Sequence, residues 1–243
     1  MGVVRCLLLL LVGCGRFGFD SQVGSDGAVA DVSSDAATVP AGAKIWLRME
    51  TDPTMGIVDN AGNHVVGCTG TCPTLAVGKH ARGYRFALEE IDVADAADLD
   101  SSAGFTGAIW VDLDALPTGN VACFWTKPFD NTKGYDTFTL CVDPTGTTIF
   151  DNETPGGTAD SLSGPAITAG TWHHLAMSWD GATKRGYLDG VEVVTEALAI
   201  GHGSDPVALG SSRGDFHLSG IVDDALYYTR ALTTAEIAEL ATP

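Results

Sequence analysis

Residues 170–194, GTWHHLAMSWDGATKRGYLDGVEVV, constrain the fold more than any other stretch. Side chains of a strand alternate between its two faces. Trp172, His174, Ala176 and Ser178 would therefore point one way, and His173, Leu175, Met177 and Trp179 the other. Asp180-Gly181 and Asp189-Gly190 follow, and Asp-Gly is the pair that a two-residue type I′ turn favours, because both of its central residues take positive φ. The stretch reads as hairpins. Residues 45–50, 84–88, 105–111, 121–126, 137–142, 207–210 and 221–228 give further strands. Short strands with turn signals between them point to an all-β sandwich.

The last segment reads differently. Thr233 with Glu236 three residues on is a capping box, and Ile237 and Leu240 form one apolar stripe, so a short helix closes the chain. Residues 151–170 are polar and rich in Gly and Pro, and read as a long loop.

Charge narrows the partners. The 243 residues carry 13 basic and 31 acidic side chains, a net charge of −18. No basic face is available to neutralise phosphates, which excludes nucleic acid.

The first 13 residues, MGVVRCLLLLLVG, hold one Arg and then a leucine run. That run is too short to span a bilayer, which takes about 20 residues. It reads as a cleavable export signal. Leu11-Val12-Gly13-Cys14 resembles a bacterial lipobox, which implies that Cys14 is lipidated after cleavage. Gly15 in place of Asp implies outer-membrane sorting if the organism is Gram-negative. Residues 14–42 hold scattered Asp and no aromatic residue after Phe19, and read as an acidic tether. The expected domain then runs over residues 43–243.

With Cys6 removed and Cys14 acylated, four of the six cysteines remain, an even number in an exported chain. Cys68 and Cys72 lie close enough in CTGTC to staple a loop. Cys123 and Cys141 sit in two apolar segments that read as adjacent strands. The expected bonds are Cys68–Cys72 and Cys123–Cys141. A lone CX3C pair is poor zinc spacing.

FTGAIWV, GTWHHLAMSWDG, YLDG, ALG, FHLSGIVDDALYYTRAL and AEIAEL, in this order, closely resemble the laminin-G-like jelly-roll domains of the concanavalin A-like lectin/glucanase superfamily. The resemblance runs from about Lys44 to the C-terminus. It implies a jelly-roll sandwich of two antiparallel sheets, one flatter and one concave, with a short C-terminal helix. It also implies a non-catalytic module that binds carbohydrate or protein at the cell envelope, in some members with calcium. The matching calcium ligands are Asp223 in GIVDD, with Glu50 or Asp52. Asp223 and Asp224 are neighbours on a strand, so only one is expected to face a given ion. Trp110, Trp125, Trp172 and Trp179 are mostly core, with one or two free to stack on sugar from the concave face.

Two rivals stand beside that reading. Glu90-Ile91-Asp92-Val93-Ala94-Asp95 is similar to the catalytic strand of family 16 glycoside hydrolases, with Glu90 and Asp95 as the acidic pair. On a regular strand those two side chains fall on opposite faces unless a bulge intervenes. The other rival is a purely structural envelope protein.

Overall fold

The structure, a computed structural model, describes residues 40–242. The expected signal and lipidated Cys14, and nearly all of the tether, lie outside these residues. The strands are β1 (Ile45–Leu47), β2 (Val66–Cys68), β3 (Thr74–Val77), β4 (Arg82–Phe86), β5 (Ile91–Val93), β6 (Phe105–Leu113) and β7 (Ala122–Asp130). They continue as β8 (Tyr135–Val142), β9 (Thr147–Glu153), β10 (Ala159–Ala166), β11 (His173–Trp179), β12 (Thr183–Leu188), β13 (Val191–Ala197), β14 (Val207–Leu209) and β15 (Gly220–Tyr228). Helix α1 (Thr234–Leu240) follows.

Two antiparallel sheets form. The first runs β13-β12-β11-β6-β15-β4-β3, with β1 also paired to β15. The second runs β10-β9-β8-β7-β14-β5-β2. They pack face to face as a jelly-roll sandwich. Phe105 of β6 and Tyr227 of β15 stack on Phe138 of β8 from across the core, at 5.3 and 5.9 Å between ring centroids. Gly107 is required beneath that stack, since a Cβ there would stand 2.5 Å from the Phe138 ring.

The organising stretch alternates as expected. Leu175, Met177 and Trp179 lie in the intersheet core, while Ala176 belongs to a second apolar cluster with Trp46, Tyr187, Leu226 and Ile237. Through Ile237, α1 covers part of the outer face of the first sheet. Its capping box forms: Thr233 accepts from the Glu236 N–H, and Glu236 accepts from the Thr233 N–H.

Three local expectations are corrected. Asp189 and Gly190 have φ of 51° and 79°, the type I′ signature, but at the other pair only Gly181 is positive, at 93°. Asp180 instead accepts from the Ala182 and Thr183 N–H groups through its side chain, which makes a longer, Asx-closed loop. Residues 151–170 are no loop: they hold the end of β9 and all of β10. As the edge of its sheet, β10 tolerates Ser, Gly and Pro165 in a way that a central strand would not. Third, β15 carries a bulge between Asp223 and Leu226 with Asp224 at φ 44°, so the two aspartates do not alternate.

Candidate functional site

The bond between Cys123 and Cys141 forms where β7 and β8 are in direct register, and that between Cys68 and Cys72 closes its loop. Cys123 and Cys141 face outward and help line a groove on the outer face of the second sheet. The groove has a volume of about 200 Å3, and Asp136, Thr139, Asp151, Glu153, Arg213 and Phe216 border it. A second basin of about 320 Å3 lies beyond Arg213, bordered by Glu90, Asp92, Pro128 and Asn131.

Arg213 separates the two basins, and the loop between β14 and β15 fixes it. Ser212 and Asp215 exchange backbone hydrogen bonds of 2.8 and 3.0 Å, and the Cys123 N–H ties Phe216 O to the sheet at 2.8 Å. Glu90 accepts from the Ser211 hydroxyl and, at 2.8 Å, from the Gly214 N–H. Thus Glu90 anchors the loop that aims Arg213, whose guanidinium pairs with the buried Asp136 carboxylate. Asp136 also accepts from Thr139 Oγ1 at 3.0 Å, Asp151 accepts from Ser161, and Glu153 accepts from the Asp136 N–H at 2.5 Å.

Ligand-capable oxygens of Asp136, Asp151 and Glu153 all lie within 4.8 Å of one another. Burial, joined by the charges of Asp136 and Asp151, pushes the Glu153 carboxyl up to about 7, although its backbone hydrogen bond opposes the shift. Asp136 and Asp151 are raised too, chiefly by burial. The groove is a row of fixed acceptors around one guanidinium fork.

The pair Glu90 and Asp95 is not brought together. Asp95 stands 3.7 Å from the wholly buried ammonium of Lys127, while Glu90 is spent on the Ser211–Gly214 loop. Nor do tryptophans line the groove. Trp125 and Trp179 sit in the intersheet core, donating to Leu226 O and Leu198 O. Trp110 is buried against His80 and His174, and Trp172 is half-buried beside β11. The aromatic ring that the groove does offer is Phe216, 37% exposed.

The second acidic site forms at the β15 bulge. Asp223 accepts from the His80 N–H at 2.8 Å, and Asp224 takes Trp46 Nε1 and His80 Nδ1, each at 2.7 Å. Burial and the neighbouring Asp224 charge push Asp223 up to about 8. Glu50 is raised by burial and feels the Asp224 charge. Asp52 is elsewhere engaged: its exposed carboxylate caps the turn Pro53–Met55 through Thr54. Of the three expected ligands, Asp223 lies in this site, where ligand atoms of His80, Asp223 and Asp224 are all within 4.8 Å of one another; Glu50 pairs with Arg48 at 3.4 Å and bears on the site through its charge.

Comparisons with known proteins agree with this architecture. The sequence profile of the concanavalin A-like lectin/glucanases superfamily matches residues 89–238. No curated protein sequence matches the chain. Among solved structures, domain 4 of AbnA, a GH43 extracellular arabinanase from Geobacillus stearothermophilus, in complex with arabinotriose, is similar at TM-score 0.64 and 21% identity, covering 84% of this chain and 100% of that one. The binding domain of Paraclostridial Mosquitocidal Protein 1 gives 0.66 and 15%, covering 82% of this chain and 52% of that one. The ligand binding domain of botulinum neurotoxin serotype D, in complex with N-acetylneuraminic acid, gives 0.63 and 12%, covering 82% and 50%. This chain spans about half the length of the two toxin domains.

Proposed function

The chain belongs to the concanavalin A-like lectin/glucanase superfamily, and from that membership we propose that its jelly roll is a non-catalytic glycan-binding module of the cell envelope. The observation that carries the reading is the groove on the second sheet, where Asp136, Asp151, Glu153, Thr139 and Ser161 are held around Arg213. Carboxylates whose oxygens lie within 4.8 Å of one another can accept from neighbouring sugar hydroxyls, and a guanidinium donates to ring and hydroxyl oxygens. A similar fold carries arabinotriose in the arabinanase domain, and another carries N-acetylneuraminic acid in a toxin domain. Attachment would run through a lipid on Cys14 and the tether of residues 14–42, placing the domain at the envelope surface, where an envelope protein is the other partner class.

A glycan array probed with the wild-type chain and with Arg213→Ala tests the reading. Binding to a defined set of glycans that the variant loses is the expected result. An empty array would overturn it.

At the β15 bulge we infer a calcium site from the clustered carboxylates of Asp223 and Asp224. Asp223, Asp224 and Glu50 would hold it, with backbone oxygens completing the six to eight that calcium takes. It would supply the positive charge that buried Asp223 lacks, since no Lys or Arg pairs with it among the described residues. Calcium would then raise the melting temperature, and Asp223→Asn would abolish the rise.

A hydrolase is the second reading, and one observation favours it: the Asp136–Asp151–Glu153 cluster holds a carboxyl at about 7 beside two others, the split that acid–base cleavage of glycosides needs. Reducing-sugar release that disappears in Glu153→Gln would establish it in place of a pure binding role.

A further inference from the structure

We propose that Lys184 and Asn152 become joined by an intramolecular isopeptide bond that staples the two sheets together. The inference is independent of the glycan reading. Lys184 lies on β12 of the first sheet and Asn152 on β9 of the second, and both side chains are 0% exposed in the space between them. Lys184 Nζ stands 2.7 Å from Asn152 Oδ1. One C=O bond adds about 1.2 Å, so the amide carbon lies within about 4 Å of the amine, close to attack distance. Asn152 Nδ2 has no hydrogen-bond partner, so nothing holds it as a leaving group must not be held. The Asp160 carboxylate, on β10, pairs with the same ammonium. Its backbone carbonyl, at 3.0 Å, and that of Phe150, at 3.5 Å, complete the surroundings of Nζ.

These are the parts of an amide exchange: an amine and a primary amide shut away from water, and beside them a proton carrier whose side chain is 24% exposed. Lys184 passes a proton to Asp160, and the neutral amine attacks Asn152 Cγ. The Nζ–Cγ bond forms and the Cγ–Nδ2 bond breaks. Nζ begins with three protons and ends with one. The two it loses travel by way of Asp160 to the departing nitrogen, which leaves as ammonium. No oxidant or cofactor takes part.

Lys127 is an internal control. It is also 0% exposed, but it faces the backbone carbonyls of Gly203 and Asp205 and the Asp95 carboxylate, with no side-chain amide to attack.

The product would close the sandwich where β10 and β13 leave each sheet with an edge, a place that an exported protein gains by locking.

Peptide mapping of the reduced, full-length chain tests this. Trypsin cuts after Lys133 and, if its amine is free, after Lys184. The expected product is peptide 134–185, lighter than its sequence by one ammonia, whose two halves stay joined after a second digestion at acidic residues. In Asp160→Asn the expected product is peptide 134–184 at full mass. Peptide 134–184 at full mass from the wild type would overturn the proposal. A mass deficit whose halves separate on the second digestion would overturn it too, since that is a cyclised Asn and not a cross-link. The wild-type digest decides even if the variant fails to fold.

Discussion

Burial moves two side chains in opposite directions, and each leaves a mark on stability. Glu153 is raised from its ordinary 4.5 to about 7 by burial and two neighbouring carboxylates. Between those values the folded state binds the proton and the unfolded state does not, so Glu153 makes stability fall as pH rises from about 4.5 to about 7. His174, wholly enclosed against Trp110, is lowered from 6.5 to about 4. There the unfolded state binds the extra proton, so stability falls as pH drops from about 6.5 toward 4. The two windows overlap between about pH 4.5 and 6.5 with opposite slopes, so relative to the wild type a melting series should tilt toward higher stability with rising pH in Glu153→Gln and toward lower stability with rising pH in His174→Leu. A Glu153→Gln curve parallel to the wild type would show that the carboxyl is not raised. The residues of this groove were the least legible in the sequence. Asp151 and Glu153 flank inward-facing Asn152 on a strand, yet the Gly-Pro-rich run after them reads as loop. Arg213 sits in a loop whose aim depends on Glu90, 123 positions earlier in contact terms that no local pattern encodes.

At the scale of elements, periodicity and turn chemistry carried most of the fold. The Asp189–Gly190 hairpin, the capping box and the cross-strand cysteines follow from local rules that tertiary packing did not override. The β15 bulge escaped because a single residue at positive φ reverses the facing of its neighbour, and Asp is only weakly marked for that conformation. Two predictions belong here. Gly190→Ala should destabilise by more than about 1 kcal/mol, because its φ is 79° and its Cβ would stand 3.1 Å from Ala238 of α1. Gly181→Ala, with nothing nearer than 3.5 Å, should cost less in the same chemical unfolding series. Removing Cys123–Cys141 should cost about 3 kcal/mol, since it closes a sequence separation of 18, and removing Cys68–Cys72, with a separation of 4, should cost less. Equal losses in urea unfolding would argue that strain, not loop closure, governs both.

For the whole molecule, the sandwich offers two outer faces that differ in how they are covered. The first sheet hides part of its outer face beneath α1 and the cluster around Tyr187 and Ile237. The second sheet leaves its own open, floored by a disulfide and crossed by Arg213. Sequence resemblance identified the sandwich mainly through strands of the first sheet, with β14 of the second, while the groove lies on the second. Mapping amide chemical shifts by NMR, as a glycan retained on the array is titrated into the labelled chain, tests that assignment most directly. The perturbed amides should gather at Asp136, Thr139, Asp151, Glu153, Ser161 and Arg213. Perturbations confined to the β15 bulge or to the outer face of the first sheet would contradict it.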